Sequence, residues 1–107
     1  MHSDGDLKTL IKDLLSLDIQ ILNLQDLVNG IDWIRDTLKG KICIDLDIDR
    51  QKITVNGTAA EIRELIDYEI NQLGDPAGGL MMIYGLYPGV PLNNINALMD
   101  AMERQIE

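Results

Sequence analysis

Residues 7–38 read LKTLIKDLLSLDIQILNLQDLVNGIDWIRDTL, and the period assigned to this stretch decides the fold. Steps of three and four residues from Leu7 meet Leu10, Leu14, Leu17, Ile21, Leu24, Val28, Ile31, Arg35 and Leu38. Only Arg35 among them is not aliphatic. Such a sustained a/d seam predicts a long helix of coiled-coil character. Ile11, Leu15, Ile19, Leu22, Leu27 and Ile34 widen the apolar surface beyond the stripe a two-stranded coil needs. One side is then expected to face the rest of the domain. The other is expected to pair with a second copy through Leu7, Leu10, Leu14, Leu17, Ile21, Leu24 and Val28, with a homodimer favoured. Asn29-Gly30 is a stop signal, since both residues tolerate the left-handed conformation that ends helices. The reading is a long helix to about Val28 and a continuation over Ile31–Lys39, closed by Gly40. A competing reading makes Leu17–Leu22 a strand, because it nearly alternates; the unbroken heptad favours helix. Residues 1–5 read as a flexible terminus.

Toward the C-terminus the period changes. Ile42, Ile44, Leu46 and Ile48 alternate with Lys41, Cys43, Asp45, Asp47 and Asp49, the pattern of a strand with one buried face. After a turn at Arg50-Gln51, Lys52–Val55 continues the alternation, predicting a β-hairpin with one wet face. Thr58-Ala-Ala-Glu61 is a capping-box signature. It opens a helix carrying Ile62, Leu65, Ile66, Ile70 and Leu73, stopped by Gly74. Leu80–Tyr84 follows a Gly/Pro-rich loop and reads as a short buried strand or an apolar loop. A last helix runs from Leu92 or Asn93 to Gln105, with Ile95, Leu98, Met99, Met102 and Ile106 on its apolar face. The expected fold is α+β within a single domain: a helical segment over 6–39, then a hairpin and two further helices over 41–107.

Composition narrows the function. The chain has 107 residues, 46% of them hydrophobic, with no Phe, one Trp and three Tyr. Its net charge is −9, from 18 acidic and 9 basic residues. That balance argues against direct binding to nucleic acid or an anionic membrane, because phosphate contacts require Lys and Arg. It suits a basic protein partner. Cys43 is the single cysteine, so no intrachain disulfide forms. The N-terminus lacks the basic and apolar regions of a signal peptide, and no apolar run approaches the roughly 20 residues needed to span a bilayer. A cytoplasmic location is expected by elimination.

Candidate sites are few. Asp45-x-Asp47-x-Asp49 has the opening spacing of a calcium loop, but Arg50 stands where glycine is required and Asn56 where glutamate is required. On a strand these carboxylates lie about 7 Å apart along one face, too far to share an ion without other ligands. No metal and no cofactor are expected. His2 is the only histidine and Cys43 has none near it in sequence, which disfavours a Cys–His nucleophile pair. No catalytic residue is assigned. The Gly78–Pro91 stretch matches no phosphate-binding motif, yet it sets Met81, Met82, Tyr84 and Tyr87 among glycines and prolines, a composition suited to an adaptable surface. Trp33 is a further candidate anchor.

The expected function is a non-enzymatic protein–protein interaction module: an adaptor, assembly factor or inhibitor. It would self-associate through its N-terminal helix and meet a basic partner through Asp45, Asp47 and Asp49, helped by Trp33 or the Met/Tyr stretch. The alternative is an oligomeric small-ligand module with a pocket at residues 78–91.

Overall fold

A computed structural model describes residues 1–50, 52–85 and 89–104. Helix and strand are mixed, as the patterns imply, but the sheet is parallel. Its strands are β1 (Ile21–Gln25), β2 (Cys43–Asp47) and β3 (Leu80–Ile83), hydrogen-bonded in that order. The described helices are α1 (Ile11–Ser16), α2 (Asp26–Asn29), α3 (Ile31–Leu38), α4 (Ile53–Asn56), α5 (Ala59–Leu73) and α6 (Leu92–Glu103). The chain therefore runs strand–helix–strand twice, with α2 and α3 crossing from β1 to β2 and α4 and α5 crossing from β2 to β3.

The long N-terminal helix is not formed; α5, at 15 residues, is the longest. The chain becomes extended at Leu17, the C-cap of α1. From Ile21 onward the burial follows period two: Leu22 and Leu24 enter the core while Ile21, Asn23 and Gln25 face away. The strand reading of this region is the closer one, displaced toward Gln25. Pairing with β2 over five residues satisfies the β1 backbone, and local heptad spacing does not outweigh that. The seam is thereby dispersed. Leu7, Leu24, Ile31 and Leu38 are buried in one core, Leu14 packs at its margin, and Leu10, Leu17, Ile21 and Val28 are exposed. Ile21 and Leu24 stand on opposite faces of one strand, so the seven positions do not line one continuous face.

The hairpin is also corrected. β2 forms where the alternation places it, but its neighbours are β1 and β3, both parallel to it. The turn after it is helical. The Asp49 carboxylate accepts from the backbone N–H of Lys52 (3.0 Å) and Ile53 (2.6 Å), and the Thr54 hydroxyl donates to the Asp49 carbonyl (2.7 Å). This side-chain cap turns Ile53–Val55 into α4 instead of a returning strand. Residues 1–3, expected to be flexible, lie beside β1. The Met1 nitrogen donates to the Ile21 carbonyl (3.0 Å), Asn23 N–H donates to Met1 (2.7 Å), and Ser3 N–H donates to Asn23 (3.1 Å).

Other expectations hold. The Thr58 hydroxyl accepts from Glu61 N–H, and Thr58 N–H donates to the Glu61 carboxylate, each at 3.2 Å. The helix they open ends at Gly74 and buries Ile62, Ile66 and Leu73. Asn29-Gly30 separates α2 from α3, and Gly30 has φ 89°. Leu80–Ile83 is a strand, although Met81 and Ile83 are exposed. α6 buries Asn94, Ala97, Leu98 and Ala101; Ile95 and Met102 are half-buried and Met99 is exposed, so its apolar face is narrower than the spacing suggests. Gln105 and Ile106 lie outside the described residues.

Two apolar clusters result. The first joins Leu22, Leu24, Ile44 and Leu46 of the sheet to Ile31, Ile34 and Leu38 of α3, Leu73 of α5, and Leu7 and Ile11. The second joins Ile48 to Ile62 and Ile66 of α5 and Ala97, Leu98 and Ala101 of α6. Both lie against the same face of the sheet.

Candidate interaction face

The strand register fixes what the other face displays. His2 pairs with Asn23, Asn23 with Asp45, and Asp45 with Met81. One residue pair further along, Gln25 stands beside Asp47, and Asp47 beside Ile83. At the other end Ile21 stands beside Cys43. This face is open: Ile21 is 45% exposed, Met81 44% and Ile83 47%, whereas Leu22, Leu24, Ile44 and Leu46 on the covered face are all at or below 1%. It carries an apolar flank on β3, two carboxylates on β2 and amides on β1.

Hydrogen bonds organise the polar part. The Asn23 side-chain amide donates to the Asp45 carbonyl (3.0 Å), and its oxygen pairs with the His2 ring. The His2 ring also faces Asp4 at 3.4 Å. The Asn23 bond, followed by Asp4, raises the His2 pKa above its ordinary value. Asp47 is 7% exposed and pairs with Arg50, whose Nη1 lies 3.8 Å from its Oδ2. Its Oδ1 is buried without a hydrogen-bond donor among the described residues. Burial raises the Asp47 pKa, and the Arg50 charge opposes that shift.

The candidate residues thus separate. Asp45, Asp47 and Met81 come together on the open face. Asp49 does not join them, because its carboxylate caps α4. Met82 lies on the covered face against both clusters. Tyr84 packs on the second cluster and donates to the Thr54 hydroxyl (3.1 Å). Trp33 is half-buried against the first cluster. Tyr87 lies outside the described residues. Ile83 and the exposed Ile21 complete the face. The reading of residues 80–84 as buried strand or loop concealed the first, and assignment to the heptad seam concealed the second.

A buried acidic pair lies elsewhere, where no sequence motif marks it. Glu69 of α5 is fully buried, and among the described residues neither carboxyl oxygen has a hydrogen-bond donor. It faces Asp26, itself 1% exposed, whose oxygens accept from Leu27 N–H (2.6 Å) and Asp49 N–H (3.1 Å). Burial, then Asp26, pushes the Glu69 pKa up to about 11, so this carboxyl is protonated at neutral pH. A capped Asp26 and a protonated Glu69 suit a structural contact between α2 and α5. Among the described residues, no group of three or more His, Cys, Asp or Glu side chains is placed to hold a metal ion.

Two clefts border the glycine-rich loop before β3. One, of about 460 Å³, has Ile19, Lys39, Lys41, Cys43, Leu73 and Gly79 in its lining. The other, of about 440 Å³, includes Ile70, Asp75, Pro76, Leu80 and Met82. No described helix is long and apolar enough to cross a membrane. No family model matches the chain, and no curated protein or solved structure matches it either.

Proposed function

We propose that this chain is a non-enzymatic interaction module that engages a basic protein partner through the open face of its sheet. The observation that carries the reading is an all-parallel sheet whose second face is left exposed along β3 and at Ile21. Parallel sheets occur almost always with both faces covered. Here the uncovered face places Asp45 and Asp47 beside exposed Met81 and Ile83, within a chain of net charge −9. Apolar contact would supply affinity and the carboxylates would supply steering and choice of partner. An adaptor, assembly or inhibitory role would follow from what is bound.

The test is retention of proteins from a cell extract at low and high salt by wild type and by the Asp45→Asn/Asp47→Asn double variant. Asp49 is left intact because it caps α4. The expected result is a set of basic proteins held by the wild type in a salt-sensitive way and lost by the variant. Identical retention by both proteins refutes an acidic docking face.

A second reading, a small-ligand module, is favoured by the clefts on either side of Gly78, which border the glycine-rich part of residues 78–91. A ligand that raised the melting temperature, with the gain abolished by Leu80→Asp, would support it.

A further inference from the structure

The open face constrains the shape and chemistry of what covers it. From residue 2 through β1 and β2 to β3 it is four strand positions wide, about 15 Å at roughly 4.8 Å per strand. Along the strands it displays two to three residues per strand. An α-helix with its side chains is about 10 Å across, and ten residues of it span about 15 Å. One helix of about three turns therefore matches the dimensions of this face. Helices are also what this chain itself lays on the opposite face, where α3 and α5 cover Leu22, Leu24, Ile44 and Leu46. A strand would add to a sheet edge and leave the face uncovered.

The charge pattern selects among helices. Met81 and Ile83 make an apolar flank on one side. Asp45 and Asp47 run parallel to it on the next strand, and Asp4 adds a third carboxylate near His2. Asp47 is 7% exposed and pairs with Arg50 at 3.8 Å, so it acts on a docked cation through its field, and the half-buried Asp45 is the carboxylate more open to direct contact. A second copy of this chain is a poor occupant, since it would set Asp45 and Asp47 against their own counterparts in a molecule of net charge −9.

Resting on the interaction reading above, we propose that the open sheet face binds a cationic amphipathic helix of a partner protein, its apolar stripe on Met81 and Ile83 and its Lys or Arg residues at Asp45 and Asp47.

Cys43 provides a native reporter, because it is half-buried on this face beside Ile21 and is the only thiol. Three synthetic peptides of equal length serve as probes: Leu/Lys at helical spacing, Leu/Glu at the same spacing, and Lys/Gly with no apolar stripe. Binding is read by fluorescence anisotropy and by slowed alkylation of Cys43. The Leu/Lys peptide is expected to bind and to slow alkylation. Its affinity is expected to fall about tenfold or more in Asp45→Asn/Asp47→Asn and in Ile83→Gln, and to change little in the control Glu64→Gln on the exposed side of α5. Ile83 is exposed, so its variant tests the face even where the aspartate variant folds poorly. Equal protection by the Leu/Glu peptide overturns the cationic assignment and leaves an apolar docking face standing. Equal binding by all variants, or by the Lys/Gly peptide, reduces the effect to bulk charge and overturns the proposal. No protection by any peptide overturns both the proposal and the interaction reading. Protection of Cys43 in the protein alone, rising with its concentration, assigns the face to a second copy and overturns the cationic helix.

Discussion

Glu69 shows what a single buried ionisable group does to the rest of the chain. Its ordinary pKa is 4.5, and in the fold it is pushed up to about 11. Between those values the folded state holds a proton that the unfolded state has lost. The unfolded state binds fewer protons there, so stability falls as pH rises. At pH 7 the cost is roughly 2.5 pK units at about 1.4 kcal/mol each, on the order of 3 kcal/mol. Glu69→Gln removes the ionisation and retains a group that can donate to Asp26. It is expected to raise stability at pH 7 by about 1–3 kcal/mol and to flatten the decline between pH 5 and pH 9. Denaturant midpoints measured across that range check both; parallel pH profiles for variant and wild type refute the protonated assignment. His2 works in the same sense. Its raised pKa contributes stability that is fully present below its ordinary value of 6.5 and is lost as pH rises through the folded value. Its exposure keeps that contribution small.

The elements show which local signals prevail. The Thr58 capping box forms as its sequence implies, because a hydroxyl and a carboxylate spaced by three residues satisfy amides that no tertiary contact competes for. Thr58→Ala is expected to lower stability by about 1 kcal/mol in chemical denaturation, with an unchanged m-value. Gly30 joins α2 to α3 at φ 89° and ψ 126°, a region that side chains strain to enter. Gly30→Ala is expected to cost about 1–3 kcal/mol, whereas Gly57→Ala, at φ −79°, would instead press its Cβ to 2.5 Å from the Ile53 carbonyl. A melting curve for Gly30→Ala that matches wild type refutes that strain. Such caps and stops were legible because their chemistry is local. The β1 segment was not, because three-and-four spacing and alternation overlap there: Ile21 and Leu24 satisfy the first, Leu22 and Leu24 the second. Only pairing with β2, more than twenty residues away, decides between them. The alternation of β2 was legible as a strand, but its partners were not, since the hairpin fails through the Asp49 side chain. For the same reason the site was half legible. Asp45, Asp47 and Met81 were singled out from composition and spacing. Ile83 and Ile21 become part of it only when the parallel register sets them on the same face, and nothing in sequence pairs Glu69 with Asp26.

At the scale of the whole molecule, charge sets the terms on which the fold and the open face coexist. The 18 acidic residues against 9 basic ones leave a self-repelling shell, and the described ion pairs relieve it only locally, at Lys8–Asp6, Arg35–Asp32, Arg35–Asp36 and Arg50–Asp47. A net charge this far from zero favours solubility and opposes compaction. The carboxylates beside the exposed Met81 and Ile83 also oppose the approach of a second copy to that flank. Repulsion between exposed charges is screened over about 10 Å at 0.1 M salt. Raising sodium chloride from 10 mM to 300 mM is therefore expected to stabilise the protein by about 1 kcal/mol, roughly 4 °C in melting temperature for a chain of this size. The Asp45→Asn/Asp47→Asn variant, with two negative charges removed from the sheet face, is expected to melt higher than wild type at 10 mM salt and to gain less on addition of salt. It is also expected to sediment as a larger species more readily at low salt, because its apolar flank has lost the adjacent carboxylates. Differential scanning calorimetry and sedimentation velocity at the two salt concentrations check the three expectations together. A wild-type melting temperature that does not move with salt would show that the acidic shell costs the fold nothing, and would leave the arrangement of Asp45 and Asp47 to be explained by binding alone.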